Sequence, residues 1–273
     1  MERIIRLNNV LRQRFVMLSV INGHKEVKLK GRGFLLCWAI LIFVSILTSA
    51  FLHEVGHGFG SRLTGVHVST GFNRVGNPYK FPDDPNFRTG MRASVLGGAL
   101  GPGLTLSFAL IFTLWLHRRR NPDLISLAIG AAAISNALLR LIPMSMVFGA
   151  ALFGKIHIED EIGLGVDLAL WAKTWGDAPG TWEKIRIAWD RVSIVKDGLT
   201  QFGSSPLFWL PAALSMCVAL LCLILAYKRL RLLFQGKIHP RQASWGFWLI
   251  PVIIFPTVLV IANFLDRIWR INW

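Results

Sequence analysis

Five long apolar runs dominate this sequence, and they leave the chain few folds to adopt. Each run has about the 20 residues that a helix needs to cross the hydrocarbon core of a bilayer. Inside lipid every backbone amide must pair within the protein, so such runs fold as helices. We therefore predict an all-α polytopic membrane protein with about five transmembrane helices, at about Gly33–Leu52, Ala93–Leu116, Leu124–Phe153, Pro206–Tyr227 and Trp245–Leu265.

The composition agrees with a membrane protein and disfavours several other classes. Of the 273 residues, 53% are hydrophobic and only 16% are charged, and the mean hydropathy is +0.50. The net charge of +15 comes from basic clusters between the apolar runs, which is typical of loops that face anionic lipid. No aromatic-basic module accompanies this charge, so we expect the lipid bilayer as a partner and no nucleic acid. The three cysteines lie inside apolar runs and form neither a disulfide framework nor a CxxC metal site.

The segments between and before the runs divide the chain further. The start is basic and amphipathic, which predicts an interfacial helix. After the first run, alternation at Val66 and Val68 and a turn at Gly76-Asn77-Pro78 predict a short strand-like segment. The connection between the third and fourth runs predicts amphipathic interfacial helices. The predicted units are an arm at 1–32, a membrane-embedded core at 33–170, an interfacial segment at 171–204 and a C-terminal transmembrane hairpin at 205–273.

The motif HEVGH, from His53 to His57, follows the first apolar run directly. Residues four apart share one face of a helix, so the two imidazoles lie about one turn apart and can bind two corners of a tetrahedral zinc ion. The adjacent Glu54 can reach a zinc-bound water and act as a general base. Ionisable groups at membrane depth are costly and normally functional. We therefore expect Zn²⁺ at His53 and His57 with Glu54 as the catalytic residue; the alternative is a pair of surface histidines at a helix end.

Four features together resemble the site-2 protease family of intramembrane zinc metalloproteases. HEVGH ends the first span, a strand-like polar segment follows, GGALGPGL at Gly97–Leu104 opens the second span, and NALLRLIP followed by EDE ends the third. The resemblance covers about residues 33–170. It implies a multi-pass zinc endopeptidase of the cell (inner) membrane that hydrolyses peptide bonds of membrane-associated protein substrates.

The third zinc ligand is less well defined by this resemblance. In the family it is an Asp after the third span, in an Asn-x-x-Pro … Asp-Gly context, whereas here Asn136 and Pro143 are seven residues apart and no Asp-Gly follows closely. The first and third spans run in the same direction, so the EDE cluster lies on the same side of the membrane as HEVGH. This placement favours Asp160, with Asp167 and Glu161 as open alternatives.

Two further residues and one motif each have two interpretations. Asn136 is a candidate substrate-binding residue whose amide holds the substrate backbone or the oxyanion, or it makes an interhelical hydrogen bond. Arg140 lies on the same helix face and either pairs with an acidic residue near the site or extends to the membrane interface. The glycines of Gly97–Leu104 either allow close helix packing, which we favour, or mark a broken helix beside the zinc.

Two classes of function remain open from the sequence. The favoured one is a zinc metalloendopeptidase in which the strand-like segment Val66–Lys80 binds an extended substrate by edge pairing, because a helix hides its scissile carbonyls in hydrogen bonds. The alternative is a non-proteolytic, degenerate membrane scaffold or transport subunit with the same fold, which the departure at the third ligand keeps open.

Overall fold

Helices make up most of the structure. The computed structural model describes residues 32–86, 95–155, 157, 159–174, 203–235 and 240–273. These residues form helices α1 to α6, at Arg32–Leu63, Val95–Arg118, Leu124–Leu152, Asp160–Thr174, Pro206–Leu233 and Pro240–Leu265. They also form three two-residue strands, β1 at Ser69–Thr70, β2 at Val75–Gly76 and β3 at Ile271–Asn272. The predicted arm, up to residue 31, and residues 175–202 of the predicted interfacial segment lie outside the described residues.

Five helices in the described part of the chain are long and apolar enough to cross a membrane, which confirms the prediction of a multi-pass membrane protein. They are Gly33–Leu63, Val95–Arg118, Leu124–Leu152, Pro206–Leu233 and Trp248–Leu265. The first differs from its predicted bounds, because the helix continues through HEVGH instead of ending at Leu52. It ends where Gly65 takes a left-handed φ of 78° and its amide bonds back to the carbonyl of Arg62 at 3.0 Å.

Helix α3 lies at the centre of the bundle and packs against α1, α2 and α5. In an apolar stretch of 18 residues within this helix, 72% of the residues are buried, against 22–33% in the corresponding stretches of the other spans. Helix α1 faces it with a stripe of buried side chains one turn apart, Phe34, Trp38, Ile42, Ile46 and Ala50. The same stripe continues into His53 and His57, so the packing that orients α1 also turns both imidazoles into the bundle.

Close contact between α1 and α2 depends on glycine. A Cβ at Gly56 would lie 2.7 Å from the carbonyl oxygen of Leu100, and one at Gly60 would lie 2.6 Å from that of Leu96. Helix α2 is continuous from Val95 to Arg118 with Pro102 inside it. The glycine-rich start of the second span therefore serves close helix packing in this structure and is not a break in the helix.

The three short strands form one antiparallel sheet in the order β2-β1-β3. β1 and β2 make a hairpin between α1 and α2, within the segment that the sequence marks as strand-like. β3 follows α6 and was not predicted. Helix α6 packs mainly against α1, so the end of the chain returns to the side of the bundle where HEVGH lies.

Candidate metal centre

Three buried donor atoms from two helices converge at HEVGH. Asp160 Oδ2 lies 3.0 Å from His53 Nε2 and 3.0 Å from His57 Nε2, and the two nitrogens are 3.1 Å apart. The histidines come from α1, and Asp160 is the first residue of α4. The structure thus brings together the two histidines of the motif and the aspartate favoured from the topology.

The hydrogen bond at Nδ1 of each imidazole determines which ring nitrogen carries the proton. His57 Nδ1 lies 2.6 Å from the carbonyl oxygen of Gly97, which can only accept, so Nδ1 is the donor. His53 Nδ1 lies 3.0 Å from the hydroxyl of Thr105, whose own proton goes to the carbonyl oxygen of Gly101 at 3.2 Å. His53 Nδ1 is therefore also a donor. In the neutral imidazoles both Nε2 atoms then present lone pairs towards each other and towards the Asp160 carboxylate.

This donor set fits a metal ion of the zinc type. Three lone-pair atoms 3.0–3.1 Å apart repel one another unless a cation lies between them. The ligand atoms of tetrahedral zinc, at bond lengths of 2.0–2.1 Å, are about 3.3 Å apart. Two imidazole nitrogens and one carboxylate oxygen are common zinc ligands, and three protein ligands leave a fourth position for water. The hydrogen bonds at Nδ1 fix the rings as outer contacts do at known metal sites.

Helix α2 is shaped to receive these imidazoles. A Cβ at Gly101 would lie 2.2 Å from His57 Nε2, so any side chain there would displace the ring. Gly97, Gly101 and Thr105 are each one turn apart, and all three contact a histidine of the motif. The sequence by itself suggests helix packing or a break for these glycines. The overlooked signal is the four-residue spacing of small residues opposite HEVGH.

A buried ionic network adjoins Asp160. Arg140 Nη1 lies 3.3 Å from both carboxylate oxygens of Glu161 and 3.7 Å from Asp160 Oδ2. The hydroxyl of Ser215 donates to Glu161 Oε1 at 2.7 Å. Arg140 therefore pairs with acidic residues near the site and does not extend to the membrane interface. Glu161 belongs to this network, and Asp167 lies about two turns further along α4, outside the group of converging donors.

Glu54 and Asn136, the other two candidate residues, are both buried. Glu54 follows His53 directly on α1. Asn136 Nδ2 donates to the carbonyl oxygen of Ala132 in its own helix at 2.8 Å, so this contact is not the interhelical bond considered from the sequence. Asn136 Oδ1 has no hydrogen-bond partner among the described residues. The atom that Asn136 offers to a ligand is therefore an acceptor.

No family model, curated protein or solved structure matches this chain. The class of site accordingly follows from its geometry. It is a buried centre within a helical membrane protein, in which two imidazoles and a carboxylate can hold a metal ion.

Proposed function

We propose that this protein is an intramembrane zinc metalloendopeptidase of the site-2 protease type, a multi-pass enzyme of the cell (inner) membrane that hydrolyses peptide bonds of membrane-associated protein substrates. The observation that carries the proposal is the convergence of two imidazole Nε2 lone pairs and Asp160 Oδ2. Glu54 is buried and follows His53 directly on the same helix. A pair of surface histidines would have no reason to be buried, oriented through Nδ1 and joined by a carboxylate from another helix.

In this proposal each residue has a defined task. His53, His57 and Asp160 would hold the metal, which would supply Lewis acidity and lower the pKa of a water molecule towards about 7. Glu54 would accept a proton from the attacking water and deliver it to the leaving amine. Arg140 lies 3.7 Å from Asp160 Oδ2, where its positive charge attracts that carboxylate.

Substrate binding in this proposal requires an extended peptide. The acceptor at Asn136 Oδ1 suits a backbone N–H of such a peptide. The hairpin suits edge pairing, although β1 already has β2 on one side and β3 on the other.

The proposal is tested by comparing peptides released from membranes that contain either the wild type or Glu54→Gln, which keeps the shape of the side chain but removes its basicity. Mass spectrometry should find cleavage within or beside the spans of membrane proteins with the wild type only. Glu159→Gln, a change outside the donor group, is the control and should behave as the wild type. Identical peptide sets for the wild type and Glu54→Gln would favour the non-proteolytic scaffold or transport subunit.

A further inference from the structure

The four residues from Arg270 to Trp273, here called the tail strand, are bound along one side of β1. They include β3, which pairs antiparallel with β1, and the amide of Trp273 extends the ladder to the carbonyl of Val68 at 2.9 Å. The indole Nε1 donates to Thr70 Oγ1 at 2.7 Å, and the guanidinium of Arg270 donates to the carbonyl of Ser69 at 3.0 Å. Most of this binding uses main-chain groups of β1, which any extended peptide could use equally well.

The tail strand also lies against the helix that carries HEVGH. A Cβ at Gly58 would be 2.0 Å from Nε1 of Trp273, so the indole covers α1 one residue after His57. Burial lowers the pKa of Arg270, and the carboxylates of Asp266 and Glu54 oppose that shift. The guanidinium is therefore within electrostatic reach of the proposed general base. Glu54 lies one turn before Gly58 on α1, so the tail strand packs against the helix face that carries Glu54.

Asp266, at the end of α6, supports the hairpin and also pairs with the tail strand. It is fully buried, and its Oδ1 accepts hydrogen bonds from the amides of Phe72 at 2.5 Å and Asn73 at 3.3 Å. Arg270 Nη1 lies 3.6 Å from the same oxygen. The chain between Asp266 and the tail strand is a turn whose Ile268 and Trp269 are exposed. Release of the tail strand breaks the ion pair with Arg270, but the two amide hydrogen bonds can keep Asp266 and the hairpin together.

We propose that the tail strand is an exchangeable occupant of the substrate position. In the resting protein it pairs with β1 and packs against the face of α1 that carries Glu54, and it leaves when an extended segment of a substrate pairs with β1 in its place. This inference rests on the proposed function for the identity of the incoming strand. The need for exchange follows from the position of β3. Among the described residues β1 has a strand on each side, so it can accept a peptide in the position of β3 only if β3 leaves.

The exchange can be measured with a synthetic fluorescent peptide of this chain's own residues 266–273, DRIWRINW. Binding to full-length protein in detergent is followed by fluorescence anisotropy. In the variant Ile271→Pro the tail strand loses a backbone N–H and pairs poorly. We expect this variant to bind the peptide at least about tenfold more tightly than the wild type, since its binding position is no longer occupied. The control peptide DRIWRPNW, which carries the same proline, should bind neither protein.

A disulfide can hold the tail strand in place, which is the opposite of its release by Ile271→Pro. Ser69 and Asn272 are paired in the register, so Ser69→Cys with Asn272→Cys can tie the tail strand to β1. Oxidation should abolish peptide binding and reduction should restore it. Equal binding to the wild type, the proline variant and the oxidised protein would show that the peptide binds elsewhere, which would overturn the proposal. A lack of binding to both the folded proline variant and the reduced cysteine variant would also overturn it.

The experiment separates this inference from the proposed function. Peptide exchange needs neither a metal nor catalysis, so it succeeds or fails whether or not the protein is a protease. A second measurement connects the exchange of the tail strand with the proposed zinc site. It is the rate at which a water-soluble chelator removes zinc from the zinc-loaded protein. That rate should rise in Ile271→Pro if the tail strand covers the site, and an unchanged rate would contradict the covering role.

Discussion

Three small residues on one face of α2 determine how the two imidazoles of HEVGH can be placed. Gly97 accepts from one ring, Thr105 accepts from the other, and Gly101 leaves space for His57. None of them is a metal ligand. Outer contacts of this kind typically change metal affinity by about 10–100-fold when they are lost. The chemistry of the centre therefore depends on a helix that carries no charged group beside it.

Replacement of Gly101 by alanine should weaken zinc binding by at least about tenfold, because the new Cβ would lie 2.2 Å from His57 Nε2. Gly103→Ala is the matched control, since a Cβ there meets no described atom within 4 Å. Competition with a fluorescent zinc chelator measures both affinities. Equal affinities for the two variants would show that the ring does not sit against Gly101.

The protein should be more stable with Arg140 and Glu161 both present, or both replaced, than with only one of them replaced. Both side chains are buried, so Glu161→Leu leaves the guanidinium with the more distant Asp160 carboxylate, at 3.7 Å, and should lower the free energy of unfolding by up to about 3–5 kcal/mol. The double variant Arg140→Leu with Glu161→Leu should recover most of that loss, because apolar residues can replace a buried ion pair at little cost. Thermal unfolding in detergent measures this, and a double variant no more stable than Glu161→Leu would contradict the pairing.

The elements differ in how far the sequence determines them. The spans were predictable because about 20 apolar residues fix both a helix and its surroundings. The end of α1 was not predictable, since the helix continues beyond the apolar run to Leu63, two residues before the left-handed Gly65. β3 could not be predicted, because a two-residue strand has no alternation to detect and its partner β1 is about 200 residues away in the chain.

The candidate site was predictable in part for similar reasons. His53, His57 and Glu54 share one helix, where spacing alone determines their relative positions. Asp160 required the direction of the spans, which places it on the correct side but leaves Glu161 and Asp167 as alternatives. In the structure, side-chain contacts distinguish Asp160 from Glu161, because Glu161 pairs with Arg140. Such contacts depend on how α3 and α4 are rotated about their axes, which a sequence does not state.

The molecule as a whole brings three chain segments to one side of the bundle. The C-terminal ends of the first, third and fifth candidate spans lie together, because Asp160 contacts His53 and Asp266 contacts the hairpin that follows the first span. These ends carry HEVGH, Asp160 and the tail strand, respectively. The proposed enzyme therefore has its metal centre, hairpin and tail strand on one side, and the α2–α3 connection on the other.

This arrangement predicts the labelling of engineered cysteines by a membrane-impermeant maleimide in sealed vesicles of one orientation. Lys155→Cys and Arg267→Cys should react from the same side, and Arg120→Cys from the opposite side. All three positions are exposed, so a difference in reactivity reports the side of the membrane. A protein with its three native cysteines replaced serves as the background. Labelling of Arg120→Cys and Arg267→Cys from the same side would contradict the five-span topology.

We propose that His53, His57 and Asp160 form one zinc site served by a catalytic Glu54. This proposal is tested by the zinc content per chain of detergent-purified wild type, Glu54→Ala, His57→Ala and Asp160→Ala after metal loading. We expect about one zinc in the wild type and in Glu54→Ala, and loss of the metal in the other two variants, because only they remove a ligand. A wild type without zinc, or an Asp160→Ala variant that retains zinc, would show that these three residues do not form the site.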